Sequence, residues 1–141
     1  MDLFYIKHIY IVLLINIFIA MLYYQNFSDK FTFQERLSES TRVITKFPDR
    51  IPIVCEKNKL DMTCPDIDKH KYLVPRDITI GQFIQVIRKR IPTLPATDAI
   101  FLFIGNNIFS NNTTISSIYE EKKNDDGFLY ITYSRESTFG R

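Results

Sequence analysis

The stretch TIGQFIQVIRKRI, residues 79–91, decides the fold because it is the most regular segment of the chain. Thr79 can cap the start of a helix, and the basic run at 88–90 suits the negative end of a helix dipole. Between these ends the apolar residues recur at intervals of three and four, at Ile80, Phe83, Ile84, Ile87 and Ile91. This spacing predicts an amphipathic helix that buries one face against the rest of the domain.

Short apolar runs on both sides of this helix predict a sheet for it to pack against. Two strands precede the helix, and the continuous apolar run AIFLFI after it is typical of a central strand. A short helix and a final strand follow, separated by a turn at 124–127. The predicted bounds are 51–56 and 71–74 for the first two strands, 99–104 for the central strand, Ile115–Lys122 for the short helix, 128–133 for the last strand and 134–141 for a mobile polar tail.

A further helical segment precedes the first strand. Thr32 and Glu35 have the spacing of a capping box, and Pro48 ends the segment. Apolar residues recur between these ends at helical intervals, at Phe33, Leu37, Val43, Ile44 and Phe47. After this segment the order is two strands, helix, two strands across a turn at 105–107, short helix and strand. A mixed sheet wrapped over one long helix is the α+β arrangement called the β-grasp, or ubiquitin-like fold.

Composition argues against several classes of function. The 141 residues carry 18 basic and 16 acidic side chains, and a net charge of +2 is too small to indicate a nucleic-acid partner. Cys55 and Cys64 lack the spacing of metal ligands and are interpreted as reduced thiols. His8 and His70 have no partner that would complete a catalytic pair. We therefore expect no enzyme activity, no metal and no cofactor.

Residues 3–24 form an almost purely aliphatic and aromatic stretch. As a helix rising about 1.5 Å per residue, this stretch could roughly cross a hydrocarbon core, which makes it a candidate transmembrane anchor. A cleaved signal peptide fits poorly, because no small-x-small site follows. The heavy use of Phe, Ile, Tyr and Asn is also what translation of A/T-rich non-coding sequence would give. The anchor and the gene-model artefact are equally open from the residues.

Several segments together resemble the autophagy-related ubiquitin-like modifiers, the GABARAP-like proteins. The resemblance rests on FPDRIPIVCEK, DKHKYLVP, TIGQFIQVIRKRI, AIFLFI, DGFLYITYS and STFGR, at residues 47–57, 68–75, 79–91, 99–104, 126–134 and 137–141. It runs from residue 29 to the last residue and keeps the order of the motifs. FTFQERLSES, residues 31–40, is similar to the family's two extra N-terminal helices, which plain ubiquitin lacks. The resemblance implies an α+β ubiquitin-like β-grasp with these two helices, preceded here by the apolar segment.

The ending Phe139-Gly140-Arg141 carries the sharpest functional expectation. The resemblance implies that a processing cysteine protease removes Arg141 and exposes Gly140. An activating enzyme and a conjugating enzyme then transfer Gly140 to the amine of phosphatidylethanolamine, which attaches the protein to a membrane. A residue without a side chain fits the narrow channels of such enzymes. The implied role is in autophagosome formation and in the recruitment of cargo receptors.

The resemblance also implies a face that binds cargo receptors with an aromatic-x-x-aliphatic motif. Strand 71–74 would accept the peptide by strand addition, in which main-chain hydrogen bonds supply affinity. A pocket for the aromatic residue is implied at Glu39, Val43, Pro52, Val54, Leu73 and Phe128. A pocket for the aliphatic residue is implied at Tyr72, Val74, Pro75, Ile78, Phe83 and Val86. Acidic residues of the peptide would meet the cations Arg50, Lys69, Lys71, Arg88 and Arg90.

Other interpretations of these patterns stay open. Phe83 and Val86 fit the core face of the helix as well as they fit a pocket. The chain could be a membrane-anchored ubiquitin-like binding module that is not conjugated, or a diverged copy that no longer undergoes conjugation. The loop at 108–114 lacks the proline turn that is usual in the family, so we expect it to differ in shape.

A working anchor at 3–24 conflicts with conjugation through Gly140. Lys7 precedes most of the segment and few cations follow it closely, so the positive-inside tendency places the domain in the lumen. There the domain could not meet the conjugation enzymes, and a start at Met21 removes the conflict. We therefore expect a functional form that lacks residues 1–20 and is cytoplasmic until it is joined to the autophagosome membrane.

Overall fold

The computed structural model describes residues 3–23 and 26–136. The tail motif Phe139-Gly140-Arg141 therefore lies outside the described residues. The chain divides into two compact units, Met1–Phe31 and Thr32–Arg141. Each unit is built from a different kind of sequence, and the second contains the predicted sheet.

In the described residues of the unit Met1–Phe31 there are two helices, α1 (Leu3–Tyr23) and α2 (Phe27–Lys30). The described side chains of α1 are exposed and almost all apolar around the whole helix. An anchor was one expectation for this segment; among the described residues, however, the structure contains no helix whose length and apolar character together suffice to cross a membrane. In α2 and just after it, the rings of Phe27 and Phe31 meet with centroids 5.0 Å apart.

The helices described in the unit Thr32–Arg141 are α3 (Phe33–Lys46), α4 (Ile80–Lys89) and α5 (Ile115–Lys122). α3 and α4 occur where the apolar spacing predicts them, and α5 occurs where a short helix is expected. The bounds of α5 are those predicted, and α3 ends two residues before Pro48, as expected for a residue that cannot continue a helix.

Both long helices of this unit begin with a complete capping box. The Thr32 hydroxyl accepts from the Glu35 N–H at 3.2 Å, and the Glu35 carboxylate accepts from the Thr32 N–H at 2.8 Å. Thr79 and Gln82 repeat this arrangement at the start of α4, with distances of 3.2 and 2.9 Å. The reciprocal bonds satisfy main-chain N–H groups that a helix end leaves without a partner, so they fix where each helix starts.

Four strands form one mixed sheet in the described residues: β1 (Arg50–Lys57), β2 (Lys71–Pro75), β3 (Phe101–Phe103) and β4 (Leu129–Ser134). Their order is β2-β1-β4-β3. β1 runs parallel to β4, while β2 and β3 run antiparallel to their neighbours. This confirms the α+β ubiquitin-like arrangement expected from the sequence.

The hydrophobic core lies between the sheet and α4. The helix contributes the face that its spacing predicts, and Phe83 and Ile87 have no exposed surface. Ile51 and Ile53 of β1 point to this side, because alternate residues of a strand face opposite sides of the sheet. Burying one large apolar side chain stabilises a fold by about 1.5–3 kcal/mol, so this layer supplies most of the driving force for folding.

The other strand ends agree with the predicted bounds to within one residue, and three differences from the predicted strands matter for the fold. A second strand after the turn at 105–107 does not form in the described chain, where Ile104 and Asn107 make only an isolated bridge. The strand predicted as central, 99–104, is shorter, at Phe101–Phe103, and it lies at the edge of the sheet beside β4. The tail was expected from residue 134, but Ser134 is the fully buried last residue of β4. The polar sequence predicted a mobile end, whereas the buried carboxylate of Asp61 accepts a hydrogen bond from Ser134 and holds it in the sheet.

Candidate peptide-binding face

β2 forms one edge of the sheet, as the strand order shows. Its inner side pairs with β1 from Pro75 opposite Arg50 to Lys71 opposite Val54. The outer side of an edge strand presents main-chain donors and acceptors that an extended peptide can pair with. The strand expected to receive a peptide therefore has the topology that strand addition requires.

The implied pocket for an aromatic residue corresponds to the sheet face under α3. Pro52 pairs with Leu73 on this face, and Val54, two residues further along β1, faces the same side. Phe128 directly precedes β4 and lies two residues before Tyr130, the partner of Val54. Pro52, Val54 and Phe128 are buried, so they form a floor, whereas Leu73 is half-buried. The α3 residues implied for the same pocket, Glu39 and Val43, are also half-buried.

The implied pocket for an aliphatic residue falls on the opposite face, next to α4. The rings of Tyr72 and Phe83 pack edge to face with centroids 5.5 Å apart, and both side chains belong to the core. Val74 is buried beside them. The implied residues with accessible surface are the exposed Pro75 and the half-buried Ile78 and Val86.

Phe83 is fully buried, so the structure gives it a core position with no surface for a ligand. The sequence left open whether Phe83 lies in the core or in a pocket, and the structure places it in the core. Val86, three residues further along α4, packs against the core and keeps part of its surface exposed. Burial also raises the pKa of the Tyr72 hydroxyl, so this phenol stays neutral.

The cations implied for acidic peptide residues differ in what they already contact. Lys71 Nζ lies 2.7 Å from Glu39 Oε1, so a peptide acid would compete with Glu39 for this ammonium. Lys69 Nζ lies 5.4 Å from the centroid of the Tyr72 ring, a cation–π geometry. Arg88 donates to the main-chain carbonyl of Asp98. The two remaining cations of the set, Arg50 and Arg90, are exposed.

A buried carboxylate that the sequence interpretation did not single out fastens α3 to the sheet. Asp126 is fully buried, and Arg36 Nη1 of α3 lies 2.7 Å from its Oδ2. The Tyr130 hydroxyl donates to the same oxygen, and the Phe128 N–H donates to Oδ1 at 3.0 Å. Burial is the larger cause and the hydrogen bond to Asp126 the second, and together they raise the pKa of Tyr130 to about 12. These polar contacts, made by Arg36 near the start of α3, hold the helix above the sheet face of the implied aromatic pocket.

Gly127, next to that carboxylate, is required by the same docking. Its φ is +87°, and a Cβ there would lie 2.4 Å from the Ser40 hydroxyl oxygen of α3. Ser40 in turn donates to the main-chain carbonyl of Asp126. The Asp-Gly pair was interpreted from sequence only as a turn; its second role, close contact with a helix 86 residues earlier in the chain, has no local signal.

A second buried carboxylate, Asp61, holds the base of the C-terminal tail. Its Oδ2 accepts from the Ser134 hydroxyl at 3.0 Å and from the Arg135 N–H at 2.8 Å. Its Oδ1 accepts from the N–H groups of Thr63 and Cys64, both at 3.1 Å. Burial by itself raises the pKa of the Asp61 carboxyl, but these hydrogen bonds together lower it to about 2. The Arg135 side chain adds an ion pair with Asp98.

The loop at 108–114, expected to have an altered shape, packs against the start of α4. The carbonyls of Asn111 and Thr113 accept from the N–H groups of Gly81 and Ile80 at 3.0 and 2.9 Å. A Cβ on Gly81 would lie 3.3 Å from Asn111, so glycine lets the loop approach closely. The difference in shape from the family stays a prediction.

The cysteines form part of the core. Cys55 and Cys64 are free thiols and both are buried. Burial raises the pKa of each, so neither is a ready nucleophile at neutral pH. In the described ranges 3–23 and 26–136, no group of three or more acidic, histidine or cysteine side chains is arranged to hold a metal ion.

Residues 35–140 match the family model described as the autophagy protein Atg8, ubiquitin-like. Three fungal relatives named Autophagy-related protein 8 align with 81–82% of this chain. The relative from Schizosaccharomyces pombe is 55% identical over 93% of its own length. Those from Kluyveromyces lactis and Saccharomyces cerevisiae are 52% and 51% identical over 90% and 97% of theirs.

Proposed function

Because this chain belongs to the ubiquitin-like Atg8 family of autophagy proteins, we propose that it is a modifier joined through Gly140 to phosphatidylethanolamine. A processing cysteine protease removes Arg141, and activating and conjugating enzymes transfer the exposed carboxyl group to the lipid amine. The protein is cytoplasmic before this transfer and lies on the autophagosome membrane afterwards. The observation that carries the proposal is the family match, which extends to Gly140 itself.

The position of the tail base supports this chemistry. Asp61 holds Ser134 and Arg135 at the end of β4, so the tail leaves the domain from a fixed point. Gly140 is the fifth residue after Arg135, and an extended chain spans at most about 3.6 Å per residue. A reach of roughly 18 Å suits a carboxyl terminus that has to enter another protein's active site while the folded domain stays outside.

The second part of the proposal is that the edge strand β2 and the two flanking pockets recruit cargo receptors. An aromatic-x-x-aliphatic peptide pairs with the outer side of β2, and its two anchors lie on opposite faces of the sheet edge. Leu73 supplies apolar surface on the α3 side, while Val86 supplies it on the α4 side. Bound receptors are thereby tethered to the membrane that carries the modifier.

Replacement of Gly140 tests the conjugation. We expect Gly140→Ala to abolish the phosphatidylethanolamine adduct, because a Cβ at the reacting residue obstructs the narrow enzyme channels. The fold should be unaffected, since the five tail residues follow the described domain. The measurement is intact-protein mass spectrometry of the lipid adduct formed in cells.

Two controls make the test specific. Thr138→Ala changes the same tail without touching the reacting residue and should leave the adduct at the wild-type level. A chain that ends at Gly140 should form the adduct in cells without the processing protease. A lipid adduct that persists on Gly140→Ala would contradict the proposed attachment site.

A further inference from the structure

The loop that follows β1 is fastened along the end of β4. The Asn58 N–H donates to the Tyr133 carbonyl at 2.8 Å, and the Tyr133 hydroxyl donates to the Pro65 carbonyl at 3.0 Å. Between these points Asp61 accepts from Ser134 and Arg135. The segment 58–65, named here the tail-base loop, therefore has a fixed position beside the residue from which the tail departs.

This loop exposes two large apolar side chains that the fold does not use. Leu60 is 68% exposed and Met62 is 85% exposed, the two largest values among the large apolar residues described in the unit Thr32–Arg141. They flank Asp61, whose carboxylate points into the protein, so the bonds that hold the tail base also hold these two side chains outward. The exposed cation Lys59 precedes them.

The tail sets how far this loop can be from a membrane. If Gly140 is joined to a lipid headgroup, Arg135 stays within roughly 18 Å of that headgroup, the length of five extended residues. The tail-base loop is hydrogen-bonded to Arg135 and is subject to the same limit. The opposite end of the sheet, where β1 and β4 begin, is farther away by the length of the strands.

We infer that Leu60 and Met62 form a membrane-contact surface that enters the lipid headgroup layer once the protein is joined to phosphatidylethanolamine. The inference rests on the proposed attachment through Gly140. Tethering removes most of the entropic cost of bringing the loop to the bilayer, so two side chains suffice where free binding would need more. Lys59 beside them meets lipid phosphates, while the contact fixes which end of the sheet faces the membrane and leaves β2 accessible to receptors.

A bilayer fits this pair better than a protein groove does. The two side chains stand on either side of a charged residue whose carboxylate is buried, which gives isolated apolar tips rather than a continuous apolar patch. Isolated tips beside a cation suit insertion between headgroups, whereas a protein interface has a closely packed apolar core. Docking of a conjugation enzyme on the same side chains is the competing outcome in the experiment below.

The absence of tryptophan from the chain allows a site-specific test. Leu60→Trp and Met62→Trp each place one fluorophore on the loop, and Phe47→Trp is the matched control. Phe47 is 40% exposed and precedes β1 at the far end of the sheet. Each variant also carries Gly140→Cys. The thiol of this cysteine couples to maleimide-linked phosphatidylethanolamine in phosphatidylcholine vesicles, so attachment does not depend on the conjugation enzymes. The native thiols are buried and react slowly.

Coupling to the vesicles should shift the emission of the two loop variants to shorter wavelength. Brominated acyl chains should quench both, and the Phe47→Trp emission should change in neither respect. Equal quenching at all three positions, or none on the loop, would overturn the inference. The polar double variant Leu60→Ser with Met62→Ser should be conjugated in cells at the wild-type rate. A severalfold slower rate would assign these side chains to a protein partner and overturn it as well.

The same design separates the two proposals. If the wild-type chain forms no lipid adduct in cells, or if Gly140→Ala still forms one, while quenching stays confined to the loop on maleimide vesicles, the attachment at Gly140 is refuted and the inference loses its setting. An adduct in cells without loop quenching would refute the membrane contact alone.

Discussion

The two faces of β1 and β2 are covered by different kinds of contact. Toward α4, Tyr72 and Phe83 belong to one continuous apolar core. Toward α3, hydrogen bonds and an ion pair to Asp126 hold the helix, while Leu73 remains half-buried. A helix held by a few strong polar bonds can sit above a sheet without sealing it. One strand can therefore serve folding on one face and recognition on the other.

The largest effect should come from the α4 face. Phe83→Ala removes a fully buried ring that packs against Tyr72, and a cavity of this kind costs about 3–5 kcal/mol of unfolding free energy. Urea denaturation followed by circular dichroism measures the loss. Val86→Ala on the same helix is the control and should cost clearly less, because Val86 is only half-buried. Equal losses in the two variants would break the distinction between the faces.

A smaller effect is expected where α3 docks. Asp126→Asn keeps the size of the side chain but removes the charge that pairs with Arg36, whose own side chain is largely buried. An ionic hydrogen bond lost from a buried site costs about 1.5–3 kcal/mol. Urea denaturation measures this change too. Tyr130→Phe removes the hydrogen bond to the same carboxylate and the one accepted from Arg36, so a loss in the same range is expected.

The Asp126 prediction is contradicted if Asp126→Asn unfolds at the same urea concentration as the wild type. That result would mean that the apolar floor of Pro52, Val54 and Phe128 holds α3 without the carboxylate. The comparison between an apolar face and a polar one would then have no energetic basis.

The sequence predicted the fold because its elements have local signals. The apolar period of α4, the capping box at the start of α3 and the turn at 124–127 each need only a few neighbouring residues. The roles of Asp61 and Asp126 have no such signal, because Asp61 bonds to residues 73 and 74 positions away and Asp126 pairs with an arginine 90 positions away. Nothing near Ser134 indicates that a carboxylate from the loop after β1 keeps it in a strand.

For the candidate site, the sequence predicted which residues share a face of the sheet but not how exposed each side chain is. The resemblance implied Val54 and Leu73 for the same pocket, and the register puts them on the same side of the sheet. Val54 has no exposed surface, whereas Leu73 is half-buried. A charged residue at Val54 would therefore test the fold and not the pocket. The depth of each side chain under α3 is set by tertiary packing, which no alternation of residues encodes.

The smallest effect should fall on the α3 face and on binding. Leu73→Ala should leave stability nearly unchanged while weakening an aromatic-x-x-aliphatic peptide by about tenfold, a loss of about 1.4 kcal/mol that is typical of a contact at the margin of an anchor pocket. Calorimetric titration of the peptide measures this. Leu60→Ala is the control, because it removes the same side chain from the tail-base loop and should leave the affinity unchanged. Formation of the lipid adduct should be normal in both variants. If both leucine variants bound the peptide as the wild type does, the partly open face under α3 would not be the aromatic pocket, and its openness would need another explanation.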